Sequence, residues 1–502
     1  MTPLHSRLAG WPCALLLASI VAAPAAFAQG PILMPVKTDP TVAFAIWFKA
    51  GSQNDPKGKE GLAALTAGLI AEGATTSNSY EQILHKLYPI ASRYNLSVDK
   101  EMTVLSGRTH VDNIEAFFPL FTDAYLKPAF TAADFERVRT NLVNDIANNL
   151  RSSSEEELAK AALTSVVFAG TPYAHPVQGT VAGLKAVTLD DVKAFYKQHY
   201  TRANAVPALG GGYPASLTDR FVKSLEGLPA GQPSKVAIAP AAGGPQVLMV
   251  QKEGADSSIS FGVPIDALRG TDDFYALWLA NSWLGEHRAS VSHLFQVIRE
   301  KRGMNYGDYS YVEAFPNGGQ RNAPPANVGR HHQLFEVWIR TLSNDNAVFA
   351  IRAARRLVQQ LIDEGLSEEE FELTRSFLKK YHLHFAETTE DRLAWRIDDA
   401  FYGIKDPGHL AQFSSKLDGL TREQVNAAIK KHWKVDKLRY AIVTGQAEKL
   451  KGQLAGAAAS PPTYPSPKSD EIKAEDAKIE IFPLGIKADS IQIVPVETIF
   501  EK

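Results

Sequence analysis

Cysteine is nearly absent: there is one in 502 residues, Cys13, and it falls in a segment that reads as an export signal. Residues 1–28 carry Arg7 in a short polar start, an apolar run from about Cys13 to Phe27, and Ala26-Phe27-Ala28 as a small-x-small cleavage site. Cleavage there starts the mature chain at Gln29 and leaves no cysteine. Disulfides and thiol chemistry are then excluded, and the fold must be held by apolar burial. Retention of the segment as an N-terminal anchor is the alternative reading. The apolar run is short and alanine-rich for a membrane span, and no later segment offers some 18 consecutive apolar residues. Basic excess is also missing. With 53 Lys and Arg against 55 Asp and Glu, the net charge is -2, unlike a nucleic-acid binder. Export without disulfides fits a large periplasmic protein.

What is present is an ordinary globular composition, 45% hydrophobic and 22% charged, in a chain long enough for two or more domains. An internal repeat fixes their arrangement. Val187-Thr188-Leu189-Asp190-Asp191-Val192, then His199-Tyr200 and Gly212, parallels Leu420-Thr421-Arg422-Glu423-Gln424-Val425, then His432-Trp433 and Gly445. The separation is 233 residues at Thr188/Thr421, His199/His432 and Gly212/Gly445. Upstream, Thr131 to Arg139 matches Ser367 to Arg375 at an offset of 236. Each block opens on Thr or Ser followed by acidic or amide residues, the pattern of a helix N-terminus.

The repeat implies an α+β fold of two homologous α/β domains, each a mostly antiparallel sheet covered by helices. The expected boundaries are 29–229 for the first domain, 230–246 for a Pro/Gly/Ala-rich linker, 247–456 for the second domain, and 457–502 for a proline-rich connector with terminal strands. Val42 to Phe48 and Ser258 to Val263 read as opening strands, Ala205 to Leu209 and Tyr440 to Val443 as closing ones. Asp345 to Glu364 is an amphipathic helix. Ile479 to Pro483 and Ile491 to Val496 alternate like strands that add to a sheet edge.

Metal-ligand spacing is another absence. Among 13 histidines no pair stands four apart, as two ligands on one helix face must. His331-His332 and the histidine of Glu286-His287-Arg288 have chamber-lining potential, but adjacent side chains point apart. His382 and His384 face different ways on a predicted helix. His199 and His432 read as structural, beside Tyr200 and Trp433. Gly210-Gly211-Gly212 lacks the lysine of a phosphate loop and reads as a strand-to-helix turn.

Gly51-Ser52-Gln53-Asn54-Asp55 followed by Gly61-Leu62-Ala63 resembles the pitrilysin/insulinase family of zinc peptidases, which includes the mitochondrial processing peptidase. The likeness covers nearly all of the mature chain. The family reads Gly-Ser-x-x-(Asp/Glu)-x-x-x-x-x-Gly-Leu-Ala-His-x-x-Glu-His, two histidines binding zinc and the glutamate activating its water. Here the histidine positions are Ala64 and Gly68 and the base position is Ala67; the distal ligand position falls on Asp145. The resemblance therefore implies no metal and no catalytic residue in this chain. His293 to Gly307 resembles the family segment Leu-Arg-x-x-x-Gly-Leu-x-Tyr, whose arginine and tyrosine bind substrate main chain. The matching residues are Arg299 and Tyr306, apt donors to a peptide carbonyl; the plainer reading makes Arg299 part of a solvated charged run and Tyr306 half-buried packing.

The expectation is a periplasmic subunit that is inactive alone. It would pair with a homologous zinc-bearing subunit as a heterodimer and supply Arg299 and Tyr306 to a shared peptide chamber. The rival is a non-enzymatic scaffold or peptide-binding homologue that has lost proteolysis altogether; an active enzyme using unrecognised residues is a third, which the missing ligands disfavour.

Overall fold

The computed structural model describes residues 30–235 and 243–502. The expected signal, and the middle of the expected linker, lie outside these residues.

The first unit runs β1 (Ile32–Pro35), β2 (Thr41–Phe48), α1 (Leu62–Glu72), α2 (Tyr80–Leu87), β3 (Arg93–Val98), β4 (Thr103–His110), α3 (Ile114–Leu126) and α4 (Ala132–Asn144). A π-helical turn, Asp145–Leu150, leads into α5 (Arg151–Ser153) and α6 (Glu155–Val167). Then come α7 (Val181–Ala186), α8 (Leu189–His199), β5 (Ala205–Gly211) and α9 (Ala215–Ser224). The second unit repeats the plan. It runs β6 (Val247–Gln251), β7 (Ser257–Ile265), α10 (Asp272–Gly285), a π-helical turn at Phe295–Glu300, β8 (Asp308–Tyr311), β9 (Gln333–Leu342) and α11 (Ala347–Asp363). α12 (Glu368–Tyr381), α13 (Thr389–Tyr402), α14 (His409–Asp418), α15 (Arg422–His432), β10 (Arg439–Thr444) and α16 (Ala447–Ala455) follow. The chain continues through α17 (Asp470–Ile479) and β11 (Ile491–Pro495).

The two sheets share one strand order: β1-β5-β2-β4-β3 in the first, β11-β6-β10-β7-β9-β8 in the second. Most pairings are antiparallel; β1 with β5, β6 with β10, and β11 with β6 are parallel. The repeat's caps sit where their side chains imply. Thr131, Thr188, Ser367 and Thr421 each accept from an amide at the start of α4, α8, α12 and α15, satisfying donors that have no partner within the helix.

Both faces of each sheet are buried, which explains the near-continuous apolar reading of β2. Its Val42, Phe44, Ile46 and Phe48 face the first unit's own helices. Ala43, Ala45 and Trp47 face the other way and pack with Leu393 and Ile397 of α13, a helix of the second unit. The exchange is reciprocal: α6 of the first unit lies across β6, β7, β9 and β10 of the second. Its Leu158, Ala159, Ala162 and Leu163 join a cluster with Leu248, Val250, Ala441 and Val443. Small residues on the receiving faces, Ala43 and Ala45 on one sheet and Ser258 and Ser260 on the other, admit the foreign helix closely.

One expected terminal strand is corrected. Ile479 closes the helix α17, whose N-cap Ser469 accepts from Ile472 N–H, so Ile479 to Pro483 is a helix end and turn; the alternation there was accidental. The other does add to a sheet edge, as β11 beside β6. Beyond it the chain returns to the first unit. The carbonyls of Phe500 and Glu501 accept from Val181 and Ala182 N–H, free amides at the start of α7, and Arg151 Nε donates to Ile499 O at 2.7 Å.

Leu163, fully buried on α6, tests the exchange. Leu163→Ala should lower unfolding free energy by about 2–5 kcal/mol in denaturant titration. Amide exchange should accelerate in β7 and β10 as well as in the first unit; protection unchanged in those two strands would contradict the exchanged packing.

Candidate functional site

The helix α1 is built by the half of its motif that carries no chemistry. Asp55 accepts from Gly61 N–H and Ala63 N–H, each at 2.7 Å, so its carboxylate closes the helix N-terminus. Gly51 allows close approach: a Cβ there would lie 2.2 Å from Asp99 O. Gly61 takes φ +108 and would also clash, at 2.7 Å, with Gln178 O. Ser52 and Gln53 N–H donate to the carbonyls of Asp99 and Lys100, which fastens the start of the motif to the β3–β4 turn.

The chemical half is empty. Ala64 and Gly68 are half-buried and, with Ala67, line a cavity of about 620 Å3. A Cβ at Gly68 would meet Val138 Cγ1 of α4 at 2.7 Å, so the space a ligand side chain would need at position 68 is already taken. Asp145 stands at the end of α4 and is bonded to neutral amides: Asn149 Nδ2 donates to Oδ1 at 2.8 Å and Gln178 Nε2 to Oδ2 at 3.4 Å. A zinc site needs three or four protein donors; these positions offer one carboxylate. The residues present do not fit the metal. Among the described residues no group of three or more His, Cys, Asp or Glu is arranged to hold a metal ion.

The cavity lies between the two units. Its first wall is α1, the edge strand β3, α6 and the loop 175–178; its second is the 313–336 region. β3 pairs with β4 on one side, and no described strand pairs with its other edge. Next to it the β3–β4 turn is bolted across the units. Arg330 donates to both carboxylate oxygens of Asp99, at 2.5 and 2.8 Å. His331 Nδ1 lies 2.6 Å from Glu101 Oε2, and Tyr173 also donates to Glu101. Lys100 is 2% exposed and donates to the carbonyl of His175; burial lowers its pKa to about 7. From α6, Lys160 donates to Phe315 O and sits over the rings of Trp338 and Tyr311, at 4.7 and 4.9 Å.

Arg299 and Tyr306 belong to a different surface. Arg299, at the end of a π-helical turn, pairs with Glu300 and lies over Phe295. Tyr306 is 81% exposed, which corrects the plainer reading of it as half-buried packing. Neither lines the cavity beside α1. Between them, Arg302 is buried and donates to Asp476 at 2.9 Å, Glu475 at 3.0 Å and Val297 O at 2.7 Å. The segment is therefore anchored to α17.

The histidines have structural partners. His287 sets its ring nitrogens 2.9 Å from Tyr311 Oη and 2.9 Å from Arg321 O, and burial lowers its pKa to about 4. Glu286 accepts from Trp278 Nε1 at 3.3 Å. His382 stacks on Phe413; His384 is exposed beside Glu387. His199 and His432 end α8 and α15; the following Tyr200 packs at a tilt against Phe48, and Trp433 stacks on Phe335. Gly210 and Gly211 are the last residues of β5, so the glycine run begins inside the strand rather than after it.

Two substitution sets probe α1. Installing Ala64→His, Ala67→Glu and Gly68→His together should lower stability by about 1–3 kcal/mol through overpacking, with partial recovery on adding Val138→Ala. An equally stable triple variant would show that α4 yields freely. Burial outweighs the two amides at Asp55 and raises its pKa to about 7, against about 3.9 unfolded. A raised folded value means stability that is full below pH ~4 and lost as pH rises toward ~7. Urea unfolding at pH 5 and 8 should show Asp55→Asn with a constant loss from the weakened cap but a flatter pH dependence than the parent. Parallel slopes would refute the assignment.

Comparison with known proteins agrees with this geometry. Residues 32–181 match "Insulinase (Peptidase family M16)" and residues 186–378 match "Peptidase M16 inactive domain". An uncharacterised zinc protease of Streptomyces coelicolor is 25% identical over 58% of this chain and 64% of its own length, so the match spans less than two thirds of that relative. The non-peptidase homolog YmxG of Helicobacter pylori is 23% identical over 80% of this chain and 88% of its own. Among solved structures, the crystal structure of a peptidase M16 inactive domain from Pseudomonas fluorescens has a TM-score of 0.71 at 23% identity, covering 82% of this chain and 94% of that one. A protease from Helicobacter pylori has a TM-score of 0.70 at 16% identity, covering 82% and 96%. The chain belongs to the insulinase (M16) peptidase family, as a member of the inactive type whose zinc-motif positions are Ala64, Ala67 and Gly68.

Proposed function

We propose that this protein is the non-catalytic, substrate-binding subunit of a two-subunit zinc peptidase, exported to the periplasm by residues 1–28. The zinc sits on a homologous partner chain. The observation that carries the reading is the state of α1: its scaffold residues Gly51, Asp55 and Gly61 keep their work while its donor positions hold none. Support also comes from the cavity beside it, where the unpaired edge of β3 offers main-chain donors and acceptors to an extended peptide. Arg299 and Tyr306, left open on the second unit, are the groups this chain contributes opposite the partner's metal. There a guanidinium and a phenol donate to the carbonyl on which negative charge develops.

The Helicobacter relative named as a non-peptidase homolog favours a second reading, a peptide-binding scaffold with no proteolysis in the assembly. Both are tested by purifying the chain, isolating its partner from the native cell and assaying peptide cleavage. The first expects no cleavage and no stoichiometric zinc in this chain alone, cleavage on mixing, and a loss of turnover on the order of tenfold or more for Arg299→Ala in the mixed complex. Zinc-loaded, active single chain would overturn both; a stable complex without cleavage would leave the scaffold.

A further inference from the structure

The cavity beside α1 has a second wall whose chemistry the reading above does not use. Glu336 lies on β9, opposite Tyr311 of β8 and Gly262 of β7, and it lines the same space as Ala64, Ala67 and Gly68. It is 6% exposed, and among the described residues nothing donates to its Oε1. Three charged groups that line the same cavity have other partners. Lys160 donates to Phe315 O and is enclosed by aromatic rings; Arg330 holds Asp99 through two bonds. Glu157 is taken up by the amides of Asn317 and Gly318, at 3.1 and 2.9 Å. Burial disfavours the charged form of Glu336, and Lys160 opposes that only in part, without reaching Oε1. An uncompensated carboxylate in such a place is costly unless it is paired.

We propose that Glu336 is a subsite for the cationic group, ammonium or guanidinium, of a peptide bound in the cavity between the units. The proposal rests on the peptide-chamber reading and gives its substrate a chemistry. An incoming cation supplies the donor that Oε1 lacks, and the pair forms away from bulk water, where it is weakly screened. The same cavity is lined by Ala64 and Ala67, where the family pattern has an imidazole and a carboxylate. Burial raises the pKa of Glu336, so binding of a cation should favour the carboxylate and release to solvent the proton of any neutral fraction.

The test uses the whole chain and three eight-residue fluorescent peptides of one uncharged sequence. The first is N-acetylated with one arginine, the second N-acetylated with citrulline in its place, and the third has citrulline and a free N-terminus. The arginine peptide, the free-amine peptide or both should bind at least tenfold more tightly than the acetylated citrulline peptide, identifying the source of the cation. The preference should persist in about 0.5 M salt, where exposed charges are screened. Glu336→Gln should abolish the preference and leave the acetylated citrulline affinity unchanged; Glu336→Ala, with thermal melts to establish folding, should do the same. Equal binding of all three peptides to the parent, or a preference that survives both substitutions, overturns the subsite while the chamber stands. No binding of any peptide, either to this chain or to its complex with the partner, overturns the chamber and the subsite with it.

Discussion

Everything in this molecule depends on the exchange of two helices. α6 leaves the first unit to cover the second sheet and α13 leaves the second to cover the first, so neither sheet has a finished core without the other unit. Separation would strip an apolar face from both sheets at once, and apolar area removed from water is the dominant favourable term in folding. The cavity walls are consequently fixed relative to each other by packing. The ionic contacts beside it, Arg330 on Asp99 and His331 on Glu101, tune a geometry already imposed. That order matters, because a buried ion pair contributes little net stability but penalises any misalignment of its partners.

Within that frame, the zinc helix separates scaffold from chemistry. Gly51, Asp55 and Gly61 are held by backbone approach and capping, so losing them would cost the fold whether or not metal is bound. Ala64 and Ala67 carry no such constraint, and Val138 fills the place next to Gly68. A helix so placed keeps its position as a cavity wall after its donors are gone. What remains chemically is a set of groups facing the interior from the second unit, Glu336 foremost, and the open pair Arg299 and Tyr306 on another surface.

Local physics was legible in the sequence. Thr131, Thr188, Ser367 and Thr421 cap helices because capping involves residues three apart, and β2 and β7 show in their apolar runs. The repeat showed two related units through short matched blocks. What could not be read were pairings across distance. Nothing local marks Asp99 and Glu101; partners of both, Arg330 and His331, are some 230 residues away. β9 mixes polar and apolar residues because it also meets α6 of the first unit, as Trp338 under Lys160 illustrates. Ile479 to Pro483 imitated a strand through alternation too short to weigh against the Ser469 cap. The erased zinc site, by contrast, needed no structure: alanine and glycine have no donor atoms.

The hydrogen bonds from Val181 and Ala182 to the carbonyls of Phe500 and Glu501 set an order of assembly. Residues 499–501 leave the ribosome after every element they close, yet they complete a helix start made more than three hundred residues earlier. The loop from His175 to Gln178, a wall of the cavity, leads directly into that helix. A chain without residues 499–501 in place therefore holds an unfinished binding wall. Contacts of such long sequence separation slow folding, and this wall of the cavity depends on them.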